Sequence, residues 1–111
     1  MEEVRRSVDG ELCGHVEVRD GSWCALVVFG ALLGCHSTRE DAVAQVLSEG
    51  LASLAERWTL QGADGAEQVV CIQEANEQTV TVALDYYSMP GVPTLTITSS
   101  EFADGRWSMH R

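Results

Sequence analysis

Lysine is missing from this chain. Its seven basic residues are all arginine and stand against 17 acidic ones, so the formal charge is −10 over 111 residues. A protein that grips the backbone of DNA or RNA does so with cationic side chains that displace counterions, and a chain this acidic repels phosphate. Nucleic acid and membrane surfaces are therefore not expected as partners. No apolar run approaches the ~20 residues that cross a bilayer; the longest, Ala25 to Leu33, has Gly30 inside it. The opening Met-Glu-Glu-Val-Arg-Arg carries no apolar segment of signal-peptide type. The four cysteines are then expected as thiols in a reducing compartment, and a cytoplasmic location follows. Also missing are the nucleophile elbow G-x-S-x-G, the zinc-protease H-E-x-x-H, the phosphate-binding P-loop and the dinucleotide fingerprint. The three histidines lie far apart or beside cysteine. No enzyme is expected, and no cofactor.

What is present is ordinary globular composition, with 45% hydrophobic and 22% charged residues and no low-complexity tract. A chain of this size removes about 65% of its unfolded surface from water, enough for one core. We therefore expect a single domain over residues 1–111, with 1–11 as a tail free to move. Leu12 to Arg19 alternates as a half-buried strand does. Asp20-Gly21 suits a type I′ hairpin turn, which needs positive φ at both positions. Such a turn sets Val18 against Trp23, Val16 against Ala25 and Glu17 against Cys24. Trp23 to Phe29 returns, and Gly30-Ala31 permits a second turn into Leu32 to His36.

Thr38 in "STRED" is placed to cap a helix, with Glu40 and Asp41 at the positive end of its dipole. Val43, Val46, Leu47, Leu51, Leu54 and Trp58 then recur at helical spacing, with Gln45 and Glu49 opposite. They predict about five turns from Arg39 to Arg57 or Trp58. Gly50 is the weak point, where the helix either approaches the sheet closely or breaks. "QGADGAEQ", residues 61 to 68, reads as a loop. Strands follow over Val69 to Glu74 and Thr79 to Tyr86, around a turn at Ala75-Asn76-Glu77-Gln78, and over Thr94 to Thr98. "SSEFADG" reads as one capped helical turn, and Arg106 to Arg111 as a last strand through Trp107 and Met109. The fold class is α+β: an antiparallel hairpin or three-strand sheet, one long amphipathic helix, then an antiparallel meander.

Two places carry candidate chemistry. In "YYSMPGVPT", Met89-Pro90-Gly91-Val92 fits a type II turn, with Pro setting φ at its second position and Gly supplying positive φ at its third. A stiff loop bearing Tyr86, Tyr87, Met89, Pro90 and Val92 offers contact area at low ordering cost, as binding hot spots do. These five residues are the expected contacts for another protein, a basic one steered by charge, or for a second copy of the chain. The alternative is a face of Cys13, His15, Cys24 and Cys35, which the hairpin registers direct away from the core side. Thiolates and an imidazole so placed suit zinc, although the spacing has no C-x-x-C knuckle.

The stretch "GSWCALVVFGALLGCHSTREDAVAQVL" resembles two families built on a ββα or βββα unit. Through Trp23, Gly34, Thr38 and the acidic-Ala pair that follows, it is similar to the AP2-like arm-binding domain of phage integrases. Through Gly34-Cys35 and "STREDA" it is similar to HicB-type antitoxins. The first implies DNA binding by basic strands, which here carry only Arg19. The second implies toxin neutralisation, without the DNA-binding helix pair that family adds. On the residues alone, the expected function is a small protein-interaction module, of the inhibitor or neutraliser kind among others; the alternative is a small-ligand or metal-binding domain on the Cys/His face.

Overall fold

In a computed structural model of the chain, which describes residues 1–84 and 93–111, Asp20 and Gly21 have φ of 50° and 80°. Positive φ at both positions makes the two-residue turn that matches strand twist. It joins β2 (Leu12–Arg19) to β3 (Ser22–Leu26) with Val18 opposite Trp23, Val16 opposite Ala25 and Glu17 opposite Cys24. The registers expected from the turn chemistry are the observed ones. A tight turn at Val27–Ala31, in which Gly30 donates to the Val27 carbonyl at 2.9 Å, leads into β4 (Leu32–His36). The residues expected as a tail supply a further strand, β1 (Glu2–Arg5), on the outer side of β2. The sheet order is β1-β2-β3-β4, all antiparallel.

Helix α1 (Arg39–Glu49) is capped by Thr38, whose side chain accepts from the Asp41 N–H at 3.2 Å. Ala42 and Val46 are fully buried, and they join Val4, Cys13, Val16 and Ala25 in the core of this first unit. Arg39, at the start of the helix, pairs with Glu2 and ties α1 to β1. The helix ends at Gly50, eight residues before the periodicity suggested. Two physical reasons coincide there. A Cβ at position 50 would overlap the Cys13 carbonyl oxygen, so only glycine lets the helix end lie on β2. Beyond it a 3₁₀ turn, Ala52–Ala55, takes over, with the buried Ser53 hydroxyl donating to the Gly50 carbonyl at 3.0 Å. Leu51 still packs against the core, which is why the apolar spacing reads through the break.

The helix face also differs. Leu47, expected toward the core, is 46% exposed. Gln45, expected outside, lies over Gly34: its Oε1 meets His36 Nε2 at 2.7 Å and its Nε2 donates to the Leu33 carbonyl at 3.4 Å. A Cβ on Gly34 would come within 2.7 Å of that Oε1, so the glycine makes the room.

The chain contacts divide into two units, Met1–Ser53 and Leu54–Arg111. The second is a sheet of order β8-β7-β6-β5-β9. Its strands are β5 (Arg57–Gly62), β6 (Glu67–Ala75), β7 (Thr79–Ala83), β8 (Thr94–Thr98) and β9 (Trp107–His110). Arg57 and Trp58, expected at the end of the helix, open β5, where Trp58 stands opposite Val70. The segment expected as one long loop is a hairpin: Gln61 and Gly62 end β5, and Glu67 and Gln68 begin β6. Between them Gly65 (φ 86°) donates to the Gly62 carbonyl at 3.0 Å, and Asp64 accepts from the Ala66 N–H at 3.0 Å. The turn at 75–78 is where it was expected, built on the Asn76 side chain, which accepts from the N–H groups of Gln78 and Thr79 at 2.8 Å each. A short helix α2 (Ser99–Ala103) starts with a full capping box between Thr98 and Glu101. Gly105, at φ 83°, turns the chain into β9, which crosses to pair with β5. Trp58, Leu60, Val70, Val80, Val82, Ile97 and Met109 are buried, and their pairings place them on one face. The protein is α+β and dominated by antiparallel sheet.

Candidate functional site

Strand pairing decides what becomes of the Cys/His face. Between β1 and β2 the register shifts, with Val4 opposite Gly14 and Arg5 opposite Leu12, so Cys13 is the extra residue of a bulge. One added residue reverses the alternation. Cys13 therefore lies with Val16 and Ala42 in the core under the helix, 1% exposed, and not on the opposite side as the simple alternation suggests. His15, Cys24 and Cys35 do stand on the face away from α1. There His15 is opposite Leu26, and Cys24 is opposite Cys35. His15 and Cys24 are buried while Cys35 is exposed. Among the described residues no group of three or more His, Cys, Asp or Glu is placed to hold a metal ion.

The two thiols are brought close. Cys24 Sγ and Cys35 Sγ are 3.0 Å apart across the β3–β4 ladder. Burial, and then the hydrogen bond it shares with Cys35, push the Cys24 thiol up to about 11 from an ordinary 9.0. It is held as the neutral thiol at physiological pH.

The proposed contact residues Tyr86, Tyr87, Met89, Pro90 and Val92 lie outside the described residues. Their point of attachment does not. The Leu84 N–H donates to the Pro93 carbonyl at 2.8 Å, which joins the ends of β7 and β8 around that segment. Leu84 and Leu95 line a cleft of about 210 Å³ on the same face of the second sheet as the buried side chains. Buried Leu60 and the half-buried Trp107 line it as well. Trp107 stands opposite Gly62, where a Cβ would touch the indole ring at 3.5 Å. The rim is acidic: Asp64 and Glu67 both border the cleft and both are exposed. Gln68, also at the rim, donates to the Leu84 carbonyl and steadies the end of β7. Nothing in the one-dimensional pattern pointed to this concavity, because Leu60 and Gly62 were placed outside any strand and Trp107 had no assigned neighbour.

Arg5 faces Glu3, Arg6 faces Asp9, Arg19 faces Glu17, Arg39 faces Glu2, Arg106 faces Asp104 and Arg111 faces Glu56. Exposed pairs of this kind add little stability, about 0–1 kcal/mol each. Their electrostatic effect is to neutralise the few cations locally, which leaves the surplus of ten negative charges unopposed. Among the described residues no helix is long and apolar enough to cross a membrane. No protein-family model, curated protein or solved structure matches the chain.

Proposed function

We propose that this protein is a non-enzymatic interaction module that docks a basic partner protein at the cleft of its second sheet, with Tyr86, Tyr87, Met89, Pro90 and Val92, which lie between β7 and β8 in sequence, as further contacts. The observation that carries the reading is the pairing of an apolar hollow (Leu60, Leu84, Leu95, Trp107) with an acidic rim (Asp64, Glu67). That combination accepts an apolar anchor side chain flanked by arginine or lysine. Size supports a protein partner over a free ligand. Small-molecule sites run to about 300–1,000 Å³, whereas this cleft holds about 210 Å³, room for a side chain or two. The charge of −10 would speed encounter with a cationic surface and turn away phosphate. A reducing, cytoplasmic setting fits four cysteines that are all free thiols. The alternative, a metal or small ligand on the Cys/His face, has less behind it because the bulge takes Cys13 to the other side of the sheet.

The test is affinity capture from native extract at low and high salt, followed by binding of the captured partner to variants. Binding should weaken steeply between about 0.05 and 0.5 M salt, over which the screening length falls several-fold. Trp107→Ala should raise Kd by at least ~10-fold, a loss typical of a hot-spot aromatic. Asp64→Asn with Glu67→Gln should slow association more than it speeds dissociation. A partner that binds equally well at high salt, or to the Trp107 variant, would not be using this site.

A further inference from the structure

Cys24 is buried on the central strand β3, Cys35 is exposed on the edge strand β4, and the two are direct cross-strand partners with Sγ atoms 3.0 Å apart. A residue pair facing across an antiparallel ladder has its Cα atoms about 4.5 or 5.5 Å apart. Both values lie inside the ~4.4–6.8 Å span of protein disulfides, so a bond can close without moving the backbone. Cys13 is enclosed in the core with its Sγ toward the Glu11 carbonyl at 3.6 Å, and Cys71 lies on β6. The asymmetry in exposure matters as well. An oxidant can reach Cys35, while Cys24 is sheltered from it and adjacent to the product.

We propose that Cys24 and Cys35 form a reactive dithiol that is oxidised by hydroperoxides to an intramolecular disulfide, with Cys35 as the attacking thiol and Cys24 as the resolving one. The Cys35 sulfur, as thiolate, attacks the peroxide O–O bond. It takes one oxygen and becomes a sulfenic acid, while the other oxygen leaves and is protonated, to water from hydrogen peroxide or to an alcohol from an organic hydroperoxide. The Cys24 sulfur then attacks Cys35 Sγ; the S–S bond forms, the S–O bond breaks, and the thiol proton of Cys24 leaves with that oxygen and its hydrogen as water. Both sulfurs are oxidised and the peroxide is reduced. Exposure assigns the order, because a peroxide meets Cys35 before the buried Cys24, and the raised affinity of Cys24 for its proton agrees with it. The bond would clamp edge strand β4 to β3 on the face opposite the one where Gln45 holds it through His36 and Leu33. The pair belongs to the first unit, and the inference does not rest on the cleft.

The experiment uses the reduced full chain treated with equimolar hydrogen peroxide, then denatured, alkylated and mapped by mass spectrometry. Cys24 and Cys35 should lose alkylation together and appear in one cross-linked peptide, with Cys13 and Cys71 still alkylated. Cys24→Ser should leave Cys35 as a sulfenic acid that dimedone traps. Cys35→Ser should slow peroxide consumption by more than about tenfold. Accumulation of sulfinic acid on wild-type Cys35 while Cys24 stays a thiol would overturn the proposal. So would a cross-link through Cys13 or Cys71, or rapid oxidation of Cys24 in the Cys35→Ser protein.

Discussion

Gly50 shows how one atom can outweigh a propensity. In a helix alanine is favoured over glycine by about 1 kcal/mol, and the backbone here, φ −55° and ψ −54°, would accept it. The Cys13 carbonyl would not, because the new methyl would overlap it. Gly50→Ala is therefore expected to destabilise by ~1–3 kcal/mol, the usual cost of overpacking, read as a lower denaturation midpoint at unchanged slope. A gain in stability would mean that the helix end can lift from β2. Cys24 makes a pH prediction. Its thiol is raised from an ordinary 9.0 to about 11 in the folded chain, so the folded state holds the proton more tightly than the unfolded one. The resulting stability is complete below pH 9 and is lost as pH rises through 11. Cys24→Ala should flatten the alkaline limb of the stability curve over that window.

Elements here are stopped and started by side chains as much as by backbone preference. Helix α2 has only five residues and no buried side chain, so little besides its capping box defines it. Thr98→Ala should cost about 1 kcal/mol, typical of a lost N-cap. Exchange of the Glu101 and neighbouring amides should speed up in step, whereas unchanged exchange would show that the turn is held by the strands around it. At β1, the hydrogen bond from Arg39 holds the Glu2 carboxyl below its usual range. Since the folded value is the lower one, this tie is present above the ordinary carboxylate pKa and is lost as pH falls through the folded value, freeing β1 before the sheet it borders. Hydrogen exchange of Glu2 to Arg5 at decreasing pH reads that step directly.

Across the chain as a unit of charge, arginine side chains are matched to near neighbours and the excess is wholly acidic. Self-repulsion of that excess opposes compactness. Raising salt from about 0.01 to 1 M shortens the screening length from about 30 to 3 Å. Relief of even ~1 kcal/mol moves Tm by about 4 °C at this size. The melting temperature should therefore rise with salt under the conditions that weaken partner binding; a fall would mean that the surface ion pairs contribute more than repulsion removes.

Local order along the chain was enough to define β2, the Asp20-Gly21 turn, β4, the Thr38 cap, the Asn76 turn, β8 and α2, because each is specified by near neighbours: alternation, positive-φ residues, a hydroxyl before an acidic turn. It also made the α+β class legible. Three-dimensional packing alone decided where α1 stops, since Leu51, Leu54 and Trp58 keep helical spacing while belonging to three different conformations. Packing likewise placed Gln45 over Gly34 and turned Cys13 into the core through a bulge that no period-two pattern records. The cleft depended on it most, because Leu60, Leu84, Leu95 and Trp107 are distant in order and meet only when β9 pairs with β5. Long-range strand pairing costs loop entropy and is rewarded by contacts that residues make with partners far along the chain, and that reward cannot be read from any window of neighbouring residues.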